Sequence, residues 1–403
     1  MRANPDNSTY FLADEENFGA RVIERYKDHV SSLRASNRHD RMLRCWRAHY
    51  GRSSDGRWDT SIIEAGGRKG ENRLVKPNEF RNLILHMLSM ATNAPPAYDP
   101  QAINNDAESM HAAQLATGLL DYYVEEKQLA RKRKERAEVA LVFGESWQLG
   151  LWDPNEGEVY AATEDPQRPA REGDFVYHTM DPYDFAYDPA TPDPNNPCWL
   201  IARVPKNRWN LAALSPDHAE TIENLQGYSR TAQEYDYLSA EYPEEDYVPA
   251  YYVFAPPSPA LPDGVQAMII EDGDEPVVLF KGPLEYRRVP GVRCAPEEIM
   301  KEAGGYTPAF DLLAPHEANA ALVSTITSNQ TNLGGAMIHL PRGSGVTTQD
   351  FGAFKTIETK PGFEPKAVNL LNTPPELFTM LDYWQSAMER LGVVSAAVRG
   401  DVD

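Results

Sequence analysis

Apolar residues recur at helical spacing along the first third of the chain. Phe18, Val22, Tyr26, Val30 and Leu33 share one face, and Leu43, Trp46 and Tyr50 continue it. Residues 17–50 are therefore expected to form one long helix or two joined ones. Gly51 and the polar run behind it break the pattern. A second helix is expected after Pro77, with Asn78 as N-cap. Its stripe is Phe80, Leu83, Ile84, Met87, Leu88 and Ala91, and Asn93-Ala94-Pro95-Pro96 stops it. A third helix is expected over roughly 106–142, with Leu115, Leu119 and Tyr122 facing inward.

From residue 145 the pattern changes to strands and turns. Trp147–Trp152 reads as a strand closed by Asp153-Pro154-Asn155-Glu156-Gly157, and 174–188 holds another with a turn-rich end. A helical stretch at 206–225 is interrupted by Pro216. Strands follow at Tyr247–Phe254, Val265–Glu271 and Val277–Phe280, the last two joined by Asp272-Gly273-Asp274. Residues 308–333 then predict a long helix whose seam is Ala318, Leu322, Ile326, Asn329 and Leu333. No charged residue lies between Ala318 and Leu333, and the other faces carry Ser324, Thr325, Thr327, Ser328 and Gln330. An exposed helix normally carries charge and a buried one is normally more apolar. This pattern suits a helix packed between like neighbours and facing water on another side; the plain alternative is a weakly amphipathic helix in a large core. Strands return at 336–371. The last helix is expected to open on a capping box at Thr373-Pro374-Pro375-Glu376, to bury Leu377, Leu381, Trp384 and Met388, and to end at Gly392.

Composition narrows the class. A chain of 403 residues is long enough for two or three subdomains. It has no run of 18 apolar residues, so no membrane span or membrane partner is expected. The N-terminus lacks the apolar core of a secretory signal. Cys45, Cys198 and Cys294 are far apart and read as incidental thiols of a reducing compartment. Residues 1–150 balance to +1, whereas 151–403 carry a net −22. The segment 231–280 has 11 acids and no Lys or Arg. Tight DNA binding calls for a basic stripe, and the acidic half has none. The run Arg131-Lys132-Arg133-Lys134-Glu135-Arg136 is the one dense basic stretch, and it reads as a solvated helix face before it reads as a nucleic-acid contact.

Catalytic signatures are missing. Gly343-Ser344-Gly345-Val346-Thr347-Thr348 and Gly66-Gly67-Arg68-Lys69-Gly70 lack the spacing of a phosphate-binding loop. His316-Glu317 has no second His at i+4, and the histidines fall in no metal-ligand pattern. Phe143-Gly144-Glu145-Ser146-Trp147-Gln148 has Gln148 where a nucleophile elbow needs Gly. No catalytic residue, metal or cofactor is expected.

The order of parts, however, is similar to a known family. Trp46-Arg47-Ala48-His49-Tyr50-Gly51 comes first, then Asn78-Glu79-Phe80-Arg81-Asn82, then a long helix ending in Ala140-Leu141-Val142-Phe143-Gly144. Trp152-Asp153-Pro154 and Asp181-Pro182-Tyr183-Asp184-Phe185-Ala186-Tyr187-Asp188-Pro189 follow, and later Gly282-Pro283-Leu284-Glu285-Tyr286 before Val289-Pro290. Asn319 and Ser328-Asn329-Gln330 lie in the neutral helix, and Arg399-Gly400 follows the last one. Over nearly its whole length the chain resembles the portal proteins of tailed bacteriophages, the short-tailed type in particular.

That resemblance implies an α+β, portal-like subunit with a helical and β wing, long stem helices and a β-rich clip. The wing would take 1–200 and 336–403, the stem 201–226 and 305–335, and the clip 227–304. A tunnel loop would lie at about 359–373, and the helical crown of the family would be absent or truncated. Ala318, Leu322, Ile326 and Leu333 would pack the stem, and Leu377, Leu381, Trp384 and Met388 the wing helix. Lys360, Lys366, Asn369, Ser328 and Gln330 would face DNA. The implied assembly is a ring, usually of twelve subunits, at the unique vertex of the virion capsid, built in the host cytoplasm. Its implied partners are double-stranded DNA, terminase, a head–tail adaptor and the major capsid protein or scaffold. Rival readings are another head–tail connector or minor capsid protein, or a hydrolase working through unrecognised carboxylates.

Overall fold

The computed structural model describes residues 10–15, 17–51, 63–66, 72–94, 96, 98–161, 170–225, 227–229, 243–244, 246–271, 276–333, 337–339, 366–368 and 374–392. In chain order the helices are α1 (Phe18–Ala35), α2 (Arg38–Tyr50), α3 (Glu79–Thr92), α4 (Ala107–Glu126), α5 (Leu129–Phe143), α6 (Arg208–Leu214), α7 (Ala219–Asn224), α8 (Pro308–Leu333) and α9 (Pro375–Leu391). The strands used below are β1 (Ile63–Gly66), β2 (Asn72–Val75), β3 (Ser146–Asp153), β4 (Asp174–Met180), β5 (Phe185–Tyr187), β6 (Leu200–Asn207), β7 (Tyr247–Ala255), β8 (Val265–Ile270), β9 (Val277–Gly282), β10 (Gly291–Cys294), β11 (Met337–His339) and β12 (Lys366–Val368). Helices and antiparallel sheets together make an α+β chain. It divides into two compact units, residues 1–57 with 81–311, and residues 58–80 with 312–403.

Single residues in the left-handed conformation set the helix breaks. Asn37 at φ 56° separates α1 from α2. Gln128 at φ 49° splits the helix expected over 106–142 into α4 and α5. Both are polar side chains, in a region that β-branched residues avoid. At 206–225, where a stem helix was expected, α6 and α7 span seven and six residues with a single 3-10 turn at Pro216–His218 between them. Pro216 has no N–H to continue α6, so a long helix cannot form there.

The first unit is layered. Its main sheet has the order β9-β8-β7-β6-β5, and a second sheet has the order β10-β3-β4. Side chains alternate along each strand, so one strand serves two cores. Ile201 of β6, Tyr251 and Val253 of β7 and Ala267 and Ile269 of β8 pack under Phe18, Val22 and Tyr26 of α1. Leu200, Ala202 and Val204 of β6 face the other way, onto Trp147, Leu149 and Leu151 of β3. Helix α5 covers the outer side of β3 and β4. The segment expected as a clip thus contributes β7, β8 and β9 to a sheet that β5 and β6 complete, and β10 pairs with β3.

One expectation is corrected. Leu115, Leu119 and Tyr122 of α4 do not face inward; they are 67%, 54% and 58% exposed. Helix α4 leans on the unit through its other side, where Tyr123 meets Phe175 edge-on at 5.8 Å and Lys127 pairs with Asp174.

The second unit holds the antiparallel pairs β1–β2 and β11–β12, α9, and α8 from Leu312. On α9, of the four residues expected to be buried, Met388 is buried and Leu377, Leu381 and Trp384 are half-buried. Its N-cap is Pro374, without a side-chain cap; Thr373, expected to cap it, lies outside the described residues.

The inner face of the smaller sheet carries one misplaced polar group. His178 of β4 lies opposite Leu149, and its Nε2 is buried without a hydrogen-bond partner. Burial pushes this imidazole down to about 4, with Lys206 and Lys132 acting in the same direction against Asp153. The folded value lies below the unfolded one of about 6.5, so as pH falls from 6.5 towards 4 the unfolded chain takes up the extra proton. Stability tied to His178 is complete above pH 6.5 and is lost across that window, by at most about 3 kcal/mol. Urea unfolding at pH 7.5 and pH 4.5 should show a smaller difference for His178→Gln than for the parent; an equal difference would refute the assignment.

Candidate functional site

The densest set of ionisable side chains in the first unit is centred on Glu145. It follows Gly144, whose φ of 92° closes α5 and turns the chain into β3. The Glu145 side chain is 1% exposed. One carboxylate oxygen accepts from Arg38 Nη2 at 2.9 Å, and the other accepts from Arg293 Nε at 3.1 Å and from the Tyr187 hydroxyl at 3.0 Å. Arg293 also donates to Glu298 at 3.0 Å and to the Ala303 carbonyl at 3.0 Å, and Arg38 reaches the Gly305 carbonyl at 3.0 Å. Burial lowers the Arg293 guanidinium, but Glu145, Tyr187 and Glu298 together outweigh it and the net shift is upward. Burial, reinforced by Glu145, raises the Tyr187 phenol. Two guanidinium groups thus face two carboxylates. A Cβ on Gly305 would come within 2.2 Å of the Gly144 carbonyl oxygen, so only glycine fits beside Glu145.

This constellation has no open coordination for a substrate. It ties α2, the start of β3, β5, β10 and the segment 298–305 to one carboxylate, and it is a structural hub. The Phe143–Gln148 run resolves in the same way: Gly144 is a cap, Glu145 the hub, Ser146 donates to the Arg136 carbonyl at 2.8 Å, and Trp147 is core. A second pairing joins α2 to α5, where Glu138 accepts from Tyr50 and lies 3.1 Å from His49 Nε2. The His49 contact leads in holding the Glu138 carboxyl below its usual range. An open cleft lined by Asp193, Asn196, Arg287 and Arg288 offers charge but no nucleophile. Among the described residues no group of His, Cys, Asp or Glu could hold a metal ion, and no helix is long and apolar enough to cross a membrane.

In the second unit the residues of α8 divide by partner. Ser324 Oγ accepts from Val75 N at 2.9 Å and Ser328 Oγ accepts from Arg73 N at 2.7 Å. The same hydroxyls lie 3.1 and 3.3 Å from the Val75 and Arg73 carbonyl oxygens. The match is geometric: four residues of helix advance ~6 Å and two residues of strand ~6.6 Å, so Ser at i and i+4 meets alternate residues of β2. Two of the neutral polar residues are therefore strand partners, and Ser328, expected to face DNA, has its hydroxyl committed to β2. Asn319, fully buried, donates to Glu79 at 3.0 Å, and Gln385 of α9 donates to the same carboxylate at 3.0 Å. Ala318, Leu322 and Ile326 are half-buried, while Ala321, Thr325, Gln330 and Thr331 are exposed. The Leu333 side chain, Lys360 and Asn369 lie outside the described residues; Lys366 is placed by its backbone in β12, opposite His339.

No protein-family model matches the chain, and no curated protein matches it in sequence.

Two outcomes follow from these geometries. Glu145→Ala strands Arg38 and Arg293 in the interior and should cost about 3–5 kcal/mol, read as a lower urea midpoint; a loss under 1 kcal/mol would contradict the hub. Ser324→Ala with Ser328→Ala should leave the fold intact but speed hydrogen exchange at the Arg73 and Val75 amides, measured by NMR or mass spectrometry.

Proposed function

We propose that the chain is a portal-type subunit that assembles into a ring and conducts double-stranded DNA at a capsid vertex during packaging and ejection. The observation that carries this reading is the uncharged stretch of α8. From Ala318 to Leu333 no residue bears a charge, yet Ala321, Thr325, Gln330 and Thr331 are exposed. A surface of neutral hydroxyls and amides neither holds phosphates nor repels them strongly, which suits a wall that DNA slides past. The order of motifs along the chain, which resembles that of portal proteins, points the same way. Terminase, a head–tail adaptor and the capsid shell or scaffold are the proposed partners, and the virion is the proposed location.

The charge distribution supplies the mechanism. Each phosphate neutralised by Lys or Arg releases counterions and adds affinity. A net −22 over residues 151–403 removes that grip, so DNA passes with low friction. Contact would be confined to a few cations such as Lys360 and Lys366.

Native mass spectrometry and negative-stain imaging of the full chain test the reading. A closed ring with a hole wide enough for duplex DNA is expected, and a monomer at every concentration up to tens of micromolar would overturn it. Glu234→Lys, Asp236→Lys and Glu241→Lys together should leave ring assembly intact and reduce the DNA packaged or retained.

A further inference from the structure

Among the described residues, α4 is the one long helix of the first unit with no buried residue. A 20-residue helix is about 30 Å long, and one that buries no residue fully draws little stability from tertiary packing and is marginal in water. Its outward face is nonetheless apolar. Leu115, Leu119 and Tyr122 follow at spacings of four and three, and Met110 is also exposed, as are Tyr98 and Ile103 in the segment before it. Its charges are all of one sign: Glu108, Asp121, Glu125 and Glu126 are exposed, and the helix has no Lys or Arg. The next helix is the opposite. Helix α5 carries Arg131, Lys132, Arg133, Lys134 and Arg136 against Glu135 and Glu138, and Arg131 and Lys134 are exposed.

We infer that the acid-fringed apolar face of α4 is covered by a second copy of this chain, seated against its α5. The inference rests on the ring reading and assigns the contact. Each copy presents one acidic and one basic helix, and on the ring reading they pair head-to-tail, the arrangement that generates rings. The four acids of α4 disfavour a nucleic acid or an anionic membrane surface as the occupant. Burying Leu115, Leu119 and Tyr122 between copies supplies the apolar centre of the contact, and the opposite charges of α4 and α5 fix its polarity.

The test uses the full-length chain, with assembly read by mass photometry and folding by circular dichroism. Leu115→Glu with Leu119→Glu should leave the melting curve unchanged, because neither side chain is buried, and should lower the ring population at least ten-fold. Glu108→Lys, Glu125→Lys and Glu126→Lys form one charge-reversed set, and Arg131→Glu with Lys134→Glu form the other. Each set alone should disperse the assembly, and mixing the two in equal amounts should restore it, since every contact then pairs opposite charges again. Rings that persist undiminished in the Leu variant would overturn the inference and leave the ring reading standing. Loss in both sets without recovery on mixing would show that α4 meets something other than α5, and would also overturn it. A parent chain that never assembles would overturn the ring reading itself.

Discussion

The first unit depends on one buried carboxylate. Glu145 sits where α5 gives way to β3, and the groups that close on it come from distant parts of the chain: Arg38 from α2, Tyr187 from β5 and Arg293 from β10. Desolvating such charges costs several kcal/mol each, and the cost is offset only when every donor and acceptor is satisfied. Here Glu145 accepts three hydrogen bonds, and Glu298 and the carbonyls of Ala303 and Gly305 take further donors of the two arginines, while Arg38 Nε stays buried without an acceptor. The same geometry holds the segment that leads into α8, whose entry is pinned by Thr307 donating to the Leu141 carbonyl at 2.6 Å. A hub of this kind specifies arrangement more than it adds stability, because an apolar core of equal volume would hold the same elements without fixing their relation.

The second unit uses neutral groups for a similar purpose. Glu79 is met by two amides, Asn319 and Gln385, and β2 is met by two hydroxyls, Ser324 and Ser328. Hydroxyls at i and i+4 can follow a strand because helix and strand advance at nearly commensurate rates. Thus the absence of charge from Ala318 to Leu333 of α8 has two separate origins. One side is neutral because it hydrogen-bonds to backbone, where a charge would have to be desolvated. The exposed side, with Thr325 and Gln330, has no such requirement, and its neutrality is the part on which the proposed passage for DNA rests.

Periodic elements were legible in the sequence. The stripe Phe18, Val22, Tyr26 and Leu33 is buried in α1, Phe80, Leu83, Ile84 and Leu88 are buried in α3, and α8 spans 308–333 as its pattern predicts. Strands β7, β8 and β9 were also legible, because runs of Val, Ile and Tyr between turn residues leave few alternatives. Strand β6 was not, since its sequence follows a Pro- and Asp-rich loop and ends in Pro205-Lys206-Asn207, which masks the run Leu200–Val204. The Glu145 hub was illegible for another reason. Its members are separated by 42 to 148 residues, and no local spacing records a pairing over that distance. The one available signal was Glu145 itself, an acid placed between Phe143-Gly144 and Trp147 where neighbours are core.

Helices α4 and α8 show where pattern reading stops. Periodicity states that a helix has two faces; it does not state which face meets the rest of the same chain. For α4 the apolar face was assigned to the core by default, yet the unit is met on the other side, by half-buried Tyr123 and by Lys127 at the helix end, which leaves Leu115, Leu119 and Tyr122 in solvent. For α8 the polar face was assigned to water, yet β2 takes Ser324 and Ser328. Both reversals have the same physical form: a face is defined by its partner, and the partner is fixed by long-range topology. The difference is that the partner of the Ser face lies within the chain, whereas the apolar face of α4 has none among the described residues. An apolar stripe maintained on the exposed side of a helix lowers solubility and adds no intramolecular packing. Its presence beside an all-acidic fringe, one turn from a basic helix, is the arrangement expected of a surface shaped for another copy.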